Sequence, residues 1–288
     1  MMVLNQNDSP AEKSFVVSRK HLDANAGLEI VARDNSLSLL NRHGATVWAI
    51  EHPQWDGTSF EISADGNLLW ATMPGPDYPW ETDEDESEEE EEDDEEESDT
   101  CGPGWIGVHD DRRIHLGAPE NHGDEWWVVE AATGRVLATT PLGVYPAATT
   151  SIGHPNGVDV GLGIGVHDGP SETFWGRYVN DALHVGIVPT PGMLEAISPS
   201  GRSYLTLTML TASDTGGTLT LKGFPDHQVI AQRTSADHLA PGEWFGWAEY
   251  LDDERILVEV FQAATAPRKI LLDAGNLTLL GEAQSPTR

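Results

Sequence analysis

Eleven histidines are the residues of this chain best suited to chemistry near neutral pH. Imidazole exchanges a proton there and, when neutral, is the commonest metal ligand. Three of them sit in polar connections beside useful neighbours: His52 is three residues from Trp55, His167 precedes Asp168, and His238 follows Asp237. A carboxylate beside an imidazole suits acid–base work, and three imidazoles brought together could hold a transition metal. No two histidines have the H-x-x-x-H spacing of a local zinc site, so a shared site exists only if the fold gathers them. The plainer alternative is a set of turn histidines bonded to nearby backbone.

The second chemical feature is Glu81 to Asp99, which holds 16 of the chain's 48 acids and no base. Such a composition cannot offset the entropy of ordering by burial, so the segment is expected to be a disordered loop. It could tune solubility, lure a basic partner or gather Ca²⁺ or Mg²⁺ loosely. The D-x-D-x-D-G grammar of an EF-hand is absent. So are the P-loop, the G-x-S-x-G elbow and any sequence-level triad. Gly161-Leu162-Gly163-Ile164-Gly165 falls within a strand-like run, so it is not a dinucleotide loop opening a helix. Cys101 has no basic neighbour to lower its pKa.

The whole chain of 288 residues carries a net charge of −32. Outside the tract, 32 acids still face 16 bases. This field repels phosphate backbones and disfavours nucleic acid as a partner. One cysteine permits no intramolecular disulfide. The first ten residues show no basic and apolar leader pattern, and no apolar run is long enough to span a bilayer. These features lead to the expectation of a cytoplasmic monomer with no membrane partner.

The elements that must position the histidines read as strands. From Phe15 onward, short apolar runs alternate with Gly, Asp, Asn and Pro, which is hairpin grammar. One phrase recurs. Ile62-Ser63-Ala64-Asp65-Gly66 precedes an apolar run ending at Trp70. Gly153 to Gly157, Ile197 to Gly201 and Tyr250 to Asp253 precede similar runs. Anchored on Ser63, His154, Ser198 and Tyr250, the gaps are 91, 44 and 52 residues. The last two are close to the roughly 40–45 residues of a four-stranded propeller blade. A second hairpin type recurs at Leu39–Trp48, Val128–Leu137 and Leu271–Leu279, as for the outer two strands of a blade.

On these S-x-D-G-type turns and D-A-x-G-type hairpins, the chain resembles β-propellers of the WD-repeat and YVTN-like kind. The resemblance implies an all-β fold of five four-stranded antiparallel blades, at about 15–50, 58–143, 149–190, 194–235 and 243–282. Six blades are the alternative, with Val108–His115 as a further anchor. It further implies tails at 1–14 and 284–288 around one domain, 15–283, interrupted by the acidic loop at 81–99. In such a ring the strands run a to d from the centre outward. The d–a and b–c connections share an upper face, and the a–b and c–d turns share a lower one. His52, Trp55, His167, Asp168, Asp237, His238 and the acidic tract then fall on the upper face, and His154 on the lower. Trp70, Trp127, Trp175 and Trp247 are expected to pack between blades.

The function these features favour is a non-catalytic scaffold that recognises a protein through its upper face, the acidic loop helping to capture a basic partner or cations. The alternative is an enzyme with a metal or His/Asp site at the mouth of the central channel, where His52, His167 and His238 are the weak candidate ligands. No cofactor is required; a divalent cation is the one the residues could take.

Overall fold

The computed structural model describes residues 16–23, 26–33, 36–51, 59–73, 105–106, 115–116, 124–143, 148–165, 171–208, 217–262 and 265–283. They form five four-stranded antiparallel sheets. The first contains β1 (Val16–Asp23), β2 (Leu28–Arg33), β3 (Ser36–Leu40) and β4 (Thr46–Glu51). The second contains β5 (Phe60–Ile62) and β6 (Leu68–Met73). It is completed across a long insertion by β9 (Glu125–Glu130) and β10 (Val136–Pro141). Within the insertion, β7 (Trp105–Ile106) pairs with β8 (His115–Leu116), two residues per strand; the alternative anchor Val108–His115 lies, but for His115, outside the described residues. The third sheet is β11 (Ala148–Gly153), β12 (Asp159–Gly165), β13 (Glu172–Val179) and β14 (Ala182–Ile187). The fourth is β15 (Met193–Ile197), β16 (Ser203–Thr208), β17 (Thr218–Gly223) and β18 (Val229–Thr234). A single helical turn, α1 (Ser235–His238), leads into β19 (Glu243–Tyr250), β20 (Arg255–Gln262), β21 (Arg268–Asp273) and β22 (Leu279–Glu282). Five consecutive four-stranded units make a five-bladed β-propeller.

The recurring phrase is the a–b turn. Ser63, His154 and Ser198 each donate their N–H to the carbonyl five residues on, at 2.8–2.9 Å. Gly66, Gly157 and Gly201 close the loops in the left-handed region, at φ of 72°, 73° and 71°. That conformation costs glycine little because it has no Cβ. The fourth anchor is built differently. Leu251, not Tyr250, opens the turn by donating to Arg255 O at 2.9 Å. Asp252 Oδ1 accepts from the N–H groups of Glu254 and Arg255 in place of a glycine loop.

Buried apolar clusters join the first sheet to the second, the second to the third, the third to the fourth and the fourth to the fifth. Fourth strands stay half exposed, as β4 and β18 show. Trp70 and Trp175 pack between blades as expected. Trp126 rather than Trp127 is the fully buried neighbour of Trp70, 4.9 Å between ring centroids. Trp127, half-buried, packs as expected against the cluster between the first and second blades and donates its Nε1–H to Glu125 Oε2 at 2.7 Å. Trp247 is a correction: it is 38% exposed, with Lys269 Nζ 4.7 Å from its ring centroid. The register of β19 slips between Phe245 and Ala248, and such a bulge breaks the in–out alternation and turns the indole outward.

Gly176 permits close packing between the second and third blades. A Cβ there would stand 2.6 Å from both Trp70 and Trp126. Gly176→Ala is therefore expected to destabilise the protein by about 1–3 kcal/mol through overpacking, read as a lower denaturation midpoint with an unchanged m-value.

Candidate functional site

The expected upper-face residues can be followed only as far as their strands. His52, Trp55, His167 and Asp168 lie outside the described residues, as does the acidic tract at 81–99. Asp237 and His238 end α1, on the connection from the fourth blade to the fifth; their side chains lie outside the described residues. Within the described residues, no group of three His, Cys, Asp or Glu side chains is arranged to hold a metal ion. The stem of the insertion is firmly built. β6 and β9 pair continuously from Leu68 opposite Glu130 to Met73 opposite Glu125. The fifty-one residues between them leave and return at one point on the upper rim of the second blade.

Polar links join the innermost strands around the central axis. Lys20 Nζ on β1 donates to Phe60 O at 2.7 Å and pairs with Glu61 Oε2 at 2.8 Å. Ser59 Oγ meets Thr149 Oγ1 and Ser151 Oγ, each at 3.0 Å. Glu195 on β15 accepts the backbone N–H of Ala248 on β19, and burial pushes its carboxyl up to about 7. Burial also pushes Glu172, the first residue of β13, up to about 7, and its Oε2 has no partner. A carboxyl near 7 suits acid–base work. Here, however, the partner of Glu195 is a backbone amide, and the three hydroxyls bond one another.

The contact between the third and fourth blades has a different chemistry. Its apolar cluster is limited to Trp175, Val188, Leu194 and Tyr204 with a few half-buried neighbours. Buried Thr173, Thr206, Thr220, Lys222 and His154 fill much of the rest. His154 accepts the Asn156 N–H at Nδ1, 3.1 Å away, so its proton is on Nε2 and is donated to Gly201 O at 2.8 Å. Both nitrogens are engaged, so this histidine is a latch between blades. Trp175 is ringed by His154, Tyr204, Phe224 and His227. Its outer side opens into a lower-face cleft of about 470 Å³ lined also by Asp159, Arg177 and His184. Burial pushes the Asp159 carboxyl up, but Arg177 and Asn156 outweigh this and hold it below the usual range. The pair is bidentate, at 2.6 and 2.7 Å.

Sequence reasoning missed Glu172, Glu195 and Lys222. Lys222 had one visible signal: it continues the polar alternation of Thr218-Leu219-Thr220-Leu221-Lys222. Both faces of that strand are covered by neighbouring blades, so the polar face is buried too.

The raised carboxyl of Glu195 predicts a pH effect. The folded protein holds this proton more tightly than the unfolded chain does. The resulting stabilisation is complete below the ordinary value of 4.5 and is lost as pH rises through about 7. Glu195→Gln keeps an acceptor for Ala248 without the charge. It should gain on the wild type by up to about 3 kcal/mol between pH 4 and pH 8, measured by denaturant unfolding at both.

No family model matches the chain, and no curated protein matches it. Solved structures do. Hydrazine synthase from Kuenenia stuttgartiensis aligns with a TM-score of 0.53 at 10% identity, over 88% of this chain and 63% of that one. The WD40 domain of SCAP from fission yeast gives 0.49 at 12%, over 95% and 56%. A TolB-like protein from Agrobacterium tumefaciens gives 0.44 at 11%, over 93% and 81%. The chain thus spans less than two thirds of the hydrazine synthase and SCAP chains. At these identities the likeness is one of fold alone.

Proposed function

We propose that this propeller is a non-catalytic binding module that recognises a protein partner through its upper face. In this reading the acidic tract assists the capture of a basic partner or of cations. The observation that carries it is the rigid β6–β9 stem, which roots an insertion bearing 16 acids within 19 residues on one rim of the ring. A polyanion on a fixed base raises the encounter rate of a basic surface, while short-range contacts on the docking face supply specificity. His52, Trp55, His167, Asp168, Asp237 and His238 are the residues assigned to that docking face. The module is read as a cytoplasmic monomer; among the described residues no helix is long and apolar enough to cross a membrane.

The second reading, an enzyme at the channel mouth, draws on Glu195, a raised carboxyl on an innermost strand. Two measurements separate the readings. Deleting residues 81–99 should weaken capture of the basic partner several-fold in low salt and leave it unchanged in high salt; equal capture at low salt rejects the steering role. Metal analysis of the intact protein should find no stoichiometric metal. One metal per chain, lost when His52, His167 and His238 are changed to Ala, would establish the enzyme reading instead.

A further inference from the structure

Lys222, one of four lysines in the chain, is wholly buried between the third and fourth blades. Its side chain leaves β17 on the face shared with Tyr204, Thr206 and Thr220, which stand opposite one another in the β16–β17 register. That face looks toward the third blade, because Tyr204 packs edge-on against Trp175 at 5.3 Å between centroids. The ammonium reaches the connection between the two blades and donates to Thr190 O at 3.2 Å. An ammonium has three N–H groups, and no carboxylate pairs with this one among the described residues.

The surroundings leave further polar groups without partners. Thr190 Oγ1 and Thr206 Oγ1 are both buried without a hydrogen-bond partner. Thr206 Oγ1 lies directly under Gly192, 2.8 Å from where a Cβ on that residue would stand. The Gly192 carbonyl is already taken by Thr173 Oγ1 at 2.6 Å. The contact beneath residues 190–192 therefore gathers one cation without a counter-charge among the described residues and two unpartnered hydroxyls, with one carbonyl accepting from the ammonium. Buried polar groups are rarely left unpaired, and a buried charge is rarely left without its counter-charge.

We propose that this cluster binds a small monovalent anion of halide size, held by the Lys222 ammonium and the hydroxyls of Thr190 and Thr206. The anion supplies one shared acceptor for the ammonium and both hydroxyls and the negative charge the ammonium lacks; water would supply only the first. Burial moves Lys222 down to about 8, which still leaves it mostly protonated at neutral pH. Divalent oxyanions are disfavoured, because they would overcompensate one positive charge and the Pro191-Gly192 roof lies close above Thr206. The bound ion ties the third blade to the fourth where their apolar cluster is smallest.

The test is thermal unfolding of the full chain at fixed ionic strength, with gluconate replaced stepwise by chloride. At chloride about tenfold above its dissociation constant, the wild-type midpoint should rise by about 3–6 °C. Lys222→Met should remove that rise. A wild type that does not respond, or a variant that responds in parallel, overturns the proposal. If Lys222→Met does not fold, wild-type crystals soaked in bromide decide the matter by anomalous scattering. A bromide peak within hydrogen-bond distance of Nζ supports the site, and a water or no peak there overturns it.

Discussion

The arrangement of the blades depends on the lower-face turns, where each innermost hairpin meets the next. Gly66 approaches Leu22 of the preceding blade, and a Cβ on Gly157 would stand 3.4 Å from the Cβ of Ala64. His154 donates to Gly201 O, and Ser200 N–H donates to Asp253 Oδ1 at 2.9 Å. From the second blade to the fifth, each a–b turn thus touches its successor, and the end of β1 meets the turn of the second blade. The turns are tied radially as well. Ala131, Phe224 and Ala274, each opening a c–d turn, donate to Asn67, Arg202 and Glu254 in the a–b turn of their own blade. A left-handed glycine is what makes the turns compact enough for this, since a side chain on Gly201 would run into the His154 ring 2.6 Å away.

That constraint is why the architecture could be read in the sequence at all. The Ser63, His154 and Ser198 phrases recur because one tight loop is needed at the same place in each blade, and their spacing set the blade boundaries. The reading failed where a different local solution gives the same shape. In the fifth blade, Asp252 stands in for a glycine. In the Asp273–Thr278 turn, Gly275 catches the eye, yet Leu277 is the residue held at φ 61°. Its side chain is wholly buried in the cluster between the last two blades, and that burial offsets the cost of an unfavourable backbone. Trp247 shows a similar limit: a bulge moves a residue to the other face, and period-2 patterning carries no signal for a bulge.

The candidate sites were less legible, for a physical reason. In an open antiparallel sheet, alternating polar residues mark the solvent side. In a propeller the second and third strands are covered on both faces, so Thr206, Thr220 and Lys222 are interior despite their pattern. Whether a polar face is wet or buried is decided by the neighbouring blade, which a local reading cannot see. His154 is the converse case. Its place on the lower face followed from the turn alignment, and the two bonds that fix its tautomer explain why it is a latch.

The same turns indicate where function has room to vary. Lower-face connections are all between two and five residues long, while upper-face ones range from two to fifty-one. A lower turn that lengthened would lose its contacts with the turn beside it and with the hairpin behind it. An upper connection has only to bridge two strand ends. The entropic cost of closing a longer loop there grows slowly, by about 0.6 kcal/mol per doubling, and the paired β6–β9 stem leaves register unaffected. Chain that adds charge, side-chain variety or a binding surface therefore accumulates on the face that does not hold the ring together. The acidic insertion is the largest instance of this, and the ring beneath it needs no adjustment to carry it.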